Sequence, residues 1–313
     1  MSSNSAPLLP PPCKPGDRIA IVAPSSPFLV ERLHVGVDLL RQWGLDPVYD
    51  DGILEHWGYL AGSDENRAKT LIDAFTREDV SAVICARGGS GASRLLEMIP
   101  WDTLAKHPKR FFGFSDITVL HSAMLQKLNW ICFHSPMAAD PGFFHGTQDS
   151  QSRIKQALFG ETLKEICPPL PGTMGRPGKA TGRLIGGNLA LVVSLLGTPY
   201  QPDFKDAILV LEDIDEAPYR VDRMIQQLRL AGAFDQIAGL GLGDFGKSLE
   251  EKNGMYQIRE YEPEQFWMER LSLPSDYPIL YNLPVGHTQN NWTLPLGATA
   301  TLDANEGILS IAS

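Results

Sequence analysis

Arg110-Phe111-Phe112-Gly113-Phe114-Ser115-Asp116-Ile117-Thr118, continuing through Val119–Leu128 to Trp130-Ile131-Cys132-Phe133, is the stretch that decides the fold. Arg110 to Phe114 is a short apolar run that stops at a serine. Asp116 to Leu128 reads as a helix, and Trp130 to Phe133 as the next strand. The same alternation runs upstream. Arg18 to Ala23 is a strand that feeds the loop Pro24–Pro27, and Glu31 to Trp43 sets Leu33, Val37 and Leu40 on one helical face before Gly44. Pro47 to Tyr49 is a second strand, Ser63 caps a helix to about Phe75, and Val80 to Cys85 is a strand broken by Arg87-Gly88-Gly89-Ser90-Gly91. Repeated strand–helix alternation predicts a parallel sheet covered by helices on both faces. Loops at the carboxyl ends of such strands gather function, so Pro24–Pro27, the Gly-rich loop and Ser115 are expected along one edge.

Downstream the pattern changes. Ile166 to Ala180 carries four prolines and three glycines and reads as a linker. Beyond it, Gly182 to Leu196 reads as a Gly-containing turn and helix. Ala207–Leu211 is a buried strand, Val221–Leu230 a helix and Ala238–Phe245 a Gly-rich strand. Short strands close the chain at Tyr277–Asn282, Ala298–Asp303 and Gly307–Ala312. The expected architecture is α/β. A parallel-sheet, flavodoxin- or Rossmann-like domain spans residues 1–165, a linker 166–180, and a smaller mixed α/β domain 181–313.

At 313 residues, 43% hydrophobic and 20% charged, the chain is long enough for two cores. A net charge of -10 argues against nucleic-acid or anionic-membrane partners, which need a basic patch. No apolar run approaches a membrane span. The N-terminus has no basic-then-apolar signal, and Cys13, Cys85, Cys132 and Cys167 are scattered, so a reducing cytoplasm is expected. No metal-ligand cluster or cofactor motif is visible.

Local chemistry nominates several groups without choosing among them. Ser115, between strand and helix, is a nucleophile on a tight turn or simply a helix N-cap, with Asp116 complementing the dipole. The Gly88-Gly89 turn offers backbone N–H groups to an anion, or is only a tight turn. Glu212-Asp213-Ile214-Asp215-Glu216 follows a buried strand, and one of its acids could orient a histidine. His121, His134, His145 and His287 are all candidates for such a partner.

Taken together, these segments resemble the LD-carboxypeptidases, the murein tetrapeptide carboxypeptidases. The marks are Ile21-Val22-Ala23-Pro24-Ser25, Ala86-Arg87-Gly88-Gly89 with Gly91-Ala92-Ser93-Arg94-Leu95-Leu96, and Gly113-Phe114-Ser115-Asp116. They continue with Gly182-Arg183-Leu184-Ile185-Gly186-Gly187-Asn188-Leu189, Leu211-Glu212-Asp213, Pro218-Tyr219-Arg220-Val221-Asp222-Arg223-Met224, and Gly286-His287 with Leu294-Pro295-Leu296-Gly297. The resemblance implies Ser115 as nucleophile, His287 as general base and Glu212 as its orienting carboxylate. It further implies Gly89 and Asp116 N–H groups as the oxyanion hole, a murein tetrapeptide or muropeptide substrate losing its terminal D-Ala, and a homodimer. A terminal carboxylate calls for arginine, with Arg87 and Arg183 the candidates. Ser90 stands where the family often has an aromatic residue.

Three other readings stay open. Microcin C immunity-type peptidases share the fold and triad but act on peptide–nucleotide or acyl-sulfamoyl adenylate conjugates. A non-catalytic two-domain solute-binding protein would also be built from two α/β units. A nucleotide-dependent enzyme would use the Gly-rich loop.

Overall fold

The computed structural model describes residues 6–161, 165–167, 175–246 and 277–312. Its strands are β1 (Arg18–Val22), β2 (Asp46–Val48), β3 (Val80–Cys85), β4 (Arg110–Gly113), β5 (Cys132–His134), β6 (Glu165–Cys167), β7 (Lys179–Asn188), β8 (Ala207–Glu212), β9 (Gly239–Leu242), β10 (Ile279–Leu280), β11 (Leu294–Leu296), β12 (Thr299–Asp303) and β13 (Ile308–Ile311). Its helices are α1 (Val30–Gln42), α2 (Asp64–Thr76), α3 (Trp101–Leu104), α4 (Thr118–Leu128), α5 (Pro141–Phe144), α6 (Gln148–Phe159), α7 (Leu189–Ser194) and α8 (Pro218–Leu230).

Among the described residues the strands form two sheets. The first has the order β11-β5-β4-β3-β1-β2, with β1 to β5 mutually parallel. Strand β1 shows why both faces are covered. Ile19 and Ile21 enter one apolar cluster with Leu33, Val37 and Leu40 of α1, while Ala20 and Val22 enter another with Leu71 and Phe75 of α2. Successive side chains of a strand point to opposite faces, so an unbroken apolar run needs a helix on each side. The second sheet, β10-β9-β8-β7-β12-β13-β6, is parallel from β10 to β7 and antiparallel from β12 to β6. This is the expected two-part α/β organisation.

Three details differ from the sequence reading. Glu165–Cys167 and Lys179–Ala180, at the ends of the expected linker, are strand; 168–174 lies outside the described residues. Gly182 to Asn188 is strand rather than turn, and the helix begins only at Leu189. Gly186 and Gly187 hide the strand from a propensity argument because both have left-handed φ, 121° and 125°. A Cβ on Gly186 would lie 1.8 Å from the Val210 carbonyl oxygen, and one on Gly187 2.6 Å from Thr118 Oγ1. These glycines are therefore fixed by close backbone approach.

Third, the two halves interlock. Strand β11, from the second half, pairs antiparallel with β5 and completes the first sheet. Pro295 is tolerated there because the strand is an edge. Leu294 and Leu296 then pack with Ile208 and Val210 of β8 and Leu125 of α4, so one apolar cluster spans both sheets.

Candidate active site

The site forms where the carboxyl ends of β4 and β8 face each other. Strand β4 ends at Gly113, and a single 3-10 turn, Ser115–Ile117, separates it from α4. Ser115 has φ 62°, the left-handed region, which costs a non-glycine residue about 1–2 kcal/mol. The turn is tight enough that a Cβ on Gly113 would lie 2.9 Å from Ile117 Cγ2. No side chain caps α4, so Ser115 is not the N-cap that its position allowed. Strain of this kind, held at the end of a buried strand, makes Ser115 a candidate functional position.

The Gly-rich turn lies against the serine. A Cβ on Gly88 would be 3.0 Å from Ser115 Cβ and 3.2 Å from its Oγ. Gly89, with φ 107°, packs on Ser26 so closely that a Cβ would meet Ser26 Oγ at 2.3 Å. Neither the Gly89 nor the Asp116 N–H donates to a protein acceptor among the described residues, so both remain available beside Ser115. The Asp116 side chain is buried and accepts from Ser25 Oγ at 2.7 Å and from the Ala92 N–H at 2.8 Å. It ties the loops after β1 and β3 to the serine turn rather than complementing a dipole. Burial raises its pKa, the Ser25 and Ala92 hydrogen bonds partly opposing the shift.

Of the acids after β8, the structure selects one. Glu212 is completely buried, and its Oε2 lies 2.8 Å from His287 Nδ1. Asp215 is exposed, and Glu216 faces Arg220 at 3.5 Å. A Cβ on Gly286 would stand 3.0 Å from the Glu212 carboxylate, which explains the glycine before this histidine. With Nδ1 engaged by an acceptor-only carboxylate, Nε2 is the nitrogen left to act as a base. The imidazole packs on Phe114, the neighbour of Ser115, with ring centroids 4.8 Å apart. Burial pulls the His287 pKa down, but the Glu212 hydrogen bond and the charges of Glu212, Asp140 and Asp213 outweigh it and leave the value raised. His121 and His134 are fully buried, their pKa values pushed down by desolvation, and His145 is exposed against Phe144.

Ser115, Glu212, His287, Gly89 and Asp116 are thus brought to one place. Arg87 is near: its Nη1 donates to the Pro27 carbonyl at 2.8 Å, one residue before the glycine that covers Ser115. Arg183 is not. It sits five residues before Asn188 on β7, a run of about 16 Å at ~3.3 Å per residue, and donates to Asn129 Oδ1 at 3.2 Å. Among the described residues no group of three or more His, Cys, Asp or Glu side chains could hold a metal ion.

Two family models match this chain, an LD-carboxypeptidase N-terminal domain over residues 19–135 and an LD-carboxypeptidase C-terminal domain over residues 181–302. The chain belongs to the LD-carboxypeptidase family of S66 peptidases. A probable murein peptide carboxypeptidase of Bacillus subtilis is 36% identical over 93% of this chain and 90% of that protein. The crystal structure of muramoyltetrapeptide carboxypeptidase from Oxalobacter formigenes matches with a TM-score of 0.79 at 30% identity, covering 95% of this chain and 99% of that one. The microcin C7 self-immunity protein MccF of Escherichia coli is 25% identical over 99% of this chain and 97% of that protein.

In this LD-carboxypeptidase, residues that sequence reasoning did not single out for the site also brace it. The Asn188 N–H donates to Thr118 Oγ1 at 3.0 Å, and its side chain donates to Asp213 Oδ1 at 3.0 Å. Asp213 Oδ2 accepts from the Ala190 N–H at 3.1 Å. Through these bonds the turn beyond Ser115 is fastened to the residue beside Glu212. Asn291 Oδ1 accepts from the Gly286 N–H at 3.1 Å and so braces the loop that carries His287. A polar residue ending an apolar strand, as Asn188 does after Leu184-Ile185-Gly186-Gly187, was the one available signal.

Proposed function

We propose that this LD-carboxypeptidase is a serine-type enzyme that releases the terminal D-Ala from murein tetrapeptides in cytoplasmic peptidoglycan recycling. The observation that carries the reading is the pair of buried Glu212 and half-buried His287, 2.8 Å apart, with the imidazole packed at a tilt on the residue that precedes a backbone-strained serine. His287 Nε2 takes the Ser115 hydroxyl proton while Oγ attacks the carbonyl carbon of the penultimate residue. Glu212 holds the ring in the tautomer with Nδ1 protonated and stabilises the imidazolium. The oxyanion is met by the Gly89 and Asp116 N–H groups, which need no reorganisation to do so. His287 returns the proton to the departing amine, and water then hydrolyses the acyl-enzyme by the same route.

The substrate class rests on the murein peptide carboxypeptidase relatives at 36% and 30% identity. Incubation with L-Ala-γ-D-Glu-meso-diaminopimelate-D-Ala, read by mass, tests it. Loss of one alanine with wild type, and not with Ser115→Ala, is expected; an intact peptide with both overturns it. The full-length match to MccF favours a second reading, cleavage of acyl-sulfamoyl adenylate conjugates. Such a conjugate belongs in the same assay, and its turnover with the tetrapeptide left intact would decide for that reading.

A further inference from the structure

A cavity of about 270 Å³ is lined by Phe28, Leu29, Arg32, Arg87, Ala139, Asp140 and Pro141. Its charged lining is two guanidiniums and one carboxylate. The walls are held by backbone bonds: the Ala138 N–H donates to the Cys85 carbonyl at 2.9 Å and the Ala139 N–H to the Ala86 carbonyl at 2.8 Å. Arg87 spends one donor on Pro27, leaving the rest of its five-donor fork for a ligand. Arg32, on the first turn of α1, makes no ion pair among the described residues. One oxygen of Asp140 accepts from the Gly142 N–H at 2.7 Å.

Chain neighbours of the cavity lining reach the site on two sides. Arg87 precedes Gly88, which lies on Ser115, and a Cβ on Gly142 would be 3.7 Å from the carbonyl oxygen of Thr288, the neighbour of His287. The Asp140 charge helps to raise the His287 pKa, while burial raises that of Asp140 itself, with the Gly142 hydrogen bond and the charges of His287, Arg32 and Arg87 opposing the shift. A leaving amine must sit on the His287 side of the acyl carbon, because His287 protonates it. An amino acid leaving there carries a carboxylate and an amine on one carbon, beside two guanidiniums and a carboxylate.

We propose that this cavity receives the released amino acid, with Arg32 and Arg87 binding its carboxylate and Asp140 its amino group. The inference rests on the peptidase reading above and gives it a leaving-group subsite. As the C–N bond breaks, the proton taken from Ser115 passes from His287 Nε2 to the amine nitrogen. The free amine then takes a second proton from water and faces Asp140 as an ammonium. Phe28, Leu29 and Pro141 supply the apolar wall for a small side chain.

Binding of free D-alanine to Ser115→Ala, followed by NMR titration, tests the pocket without requiring turnover. D-Alaninamide, which lacks the carboxylate, and D-lactate, which lacks the amine, are the comparison probes. D-Alanine is expected to bind at least tenfold more tightly than either. Arg32→Gln should remove the preference over D-alaninamide, and Asp140→Asn the preference over D-lactate. In turnover, Arg32→Gln should raise KM for the tetrapeptide about tenfold or more, as loss of a charged hydrogen bond does, with kcat changed far less. No binding of D-alanine at millimolar concentration, or equal binding of all three probes, overturns the proposal. If D-alanine binds as described while wild type leaves the tetrapeptide intact, the subsite stands and the assigned peptide substrate falls.

Discussion

Glu212 Oε2 and His287 Nδ1 meet at 2.8 Å although 75 residues separate them in sequence. The carboxylate closes the buried end of β8, and the imidazole comes from the loop before β11, the strand that crosses to complete the other sheet. The Glu212–His287 hydrogen bond is therefore assembled by the same interlocking that joins the two halves.

Replacing Glu212 by Gln leaves the shape nearly unchanged but supplies an amide that can donate to Nδ1, favouring the tautomer with the proton on Nε2. We expect kcat to fall by about 10⁴-fold, as in other triads with a carboxylate-to-amide change, with little effect on KM. Steady-state kinetics on the tetrapeptide checks this; a loss below tenfold would contradict the role.

The raised His287 pKa sets the acid side of the activity profile. The base must be neutral to take the Ser115 proton, so kcat/KM is lost as pH falls through the folded value, which lies above the ordinary 6.5. In Glu212→Gln the burial that lowers the pKa is left unopposed by its main partner. The residual activity should then persist to lower pH than in wild type. An acid limb that stays in place would show that His287 is not the titrating base.

Ser115→Gly and Ser115→Ala both remove the nucleophile, but only glycine relaxes a φ of 62°. After the extra chain entropy of glycine, Ser115→Gly should be more stable than Ser115→Ala by about 0.5–1 kcal/mol. Denaturant titration of the two inactive variants measures the difference, and the opposite order would deny strain at the turn.

Burial raises the Asp213 pKa to about 6, against the hydrogen bonds from Ile214, Asn188 and Ala190. The folded state then binds a proton more readily than the unfolded chain between about pH 4 and 6. That contribution to stability grows as pH falls through the window and is absent above it. Thermal unfolding of wild type should show this component, and Asp213→Asn should lack it. His287, also raised, contributes in the same direction at higher pH, so the difference between the two proteins is the quantity to read.

The parallel sheet was legible because Ile19, Ala20, Ile21 and Val22 form an apolar run with no polar face, which only a strand covered on both sides can bury. Val80–Cys85 was legible to its ends for the same reason. Strand β7 was misread because its glycines answer to Val210 and Thr118, contacts that no local propensity reports. Arg183 was nominated from the same stretch, and only the length of that strand separates it from Asn188.

By itself, the sequence determined the strand–helix alternation of the first half, because apolar periodicity and turn residues act over a few neighbours. It also placed Ser115 just after one strand and Glu212 at the end of another. Its ordered motifs named the family, and with it the three residues. Only the tertiary structure decided which acid meets a histidine, which histidine that is and which arginines line a cavity with Asp140. Those choices depend on burial and on distances of about 3 Å between residues far apart in the chain. Such distances are set by how two sheets pack, through β11 and the Asn188 contacts, and not by any pattern along the sequence.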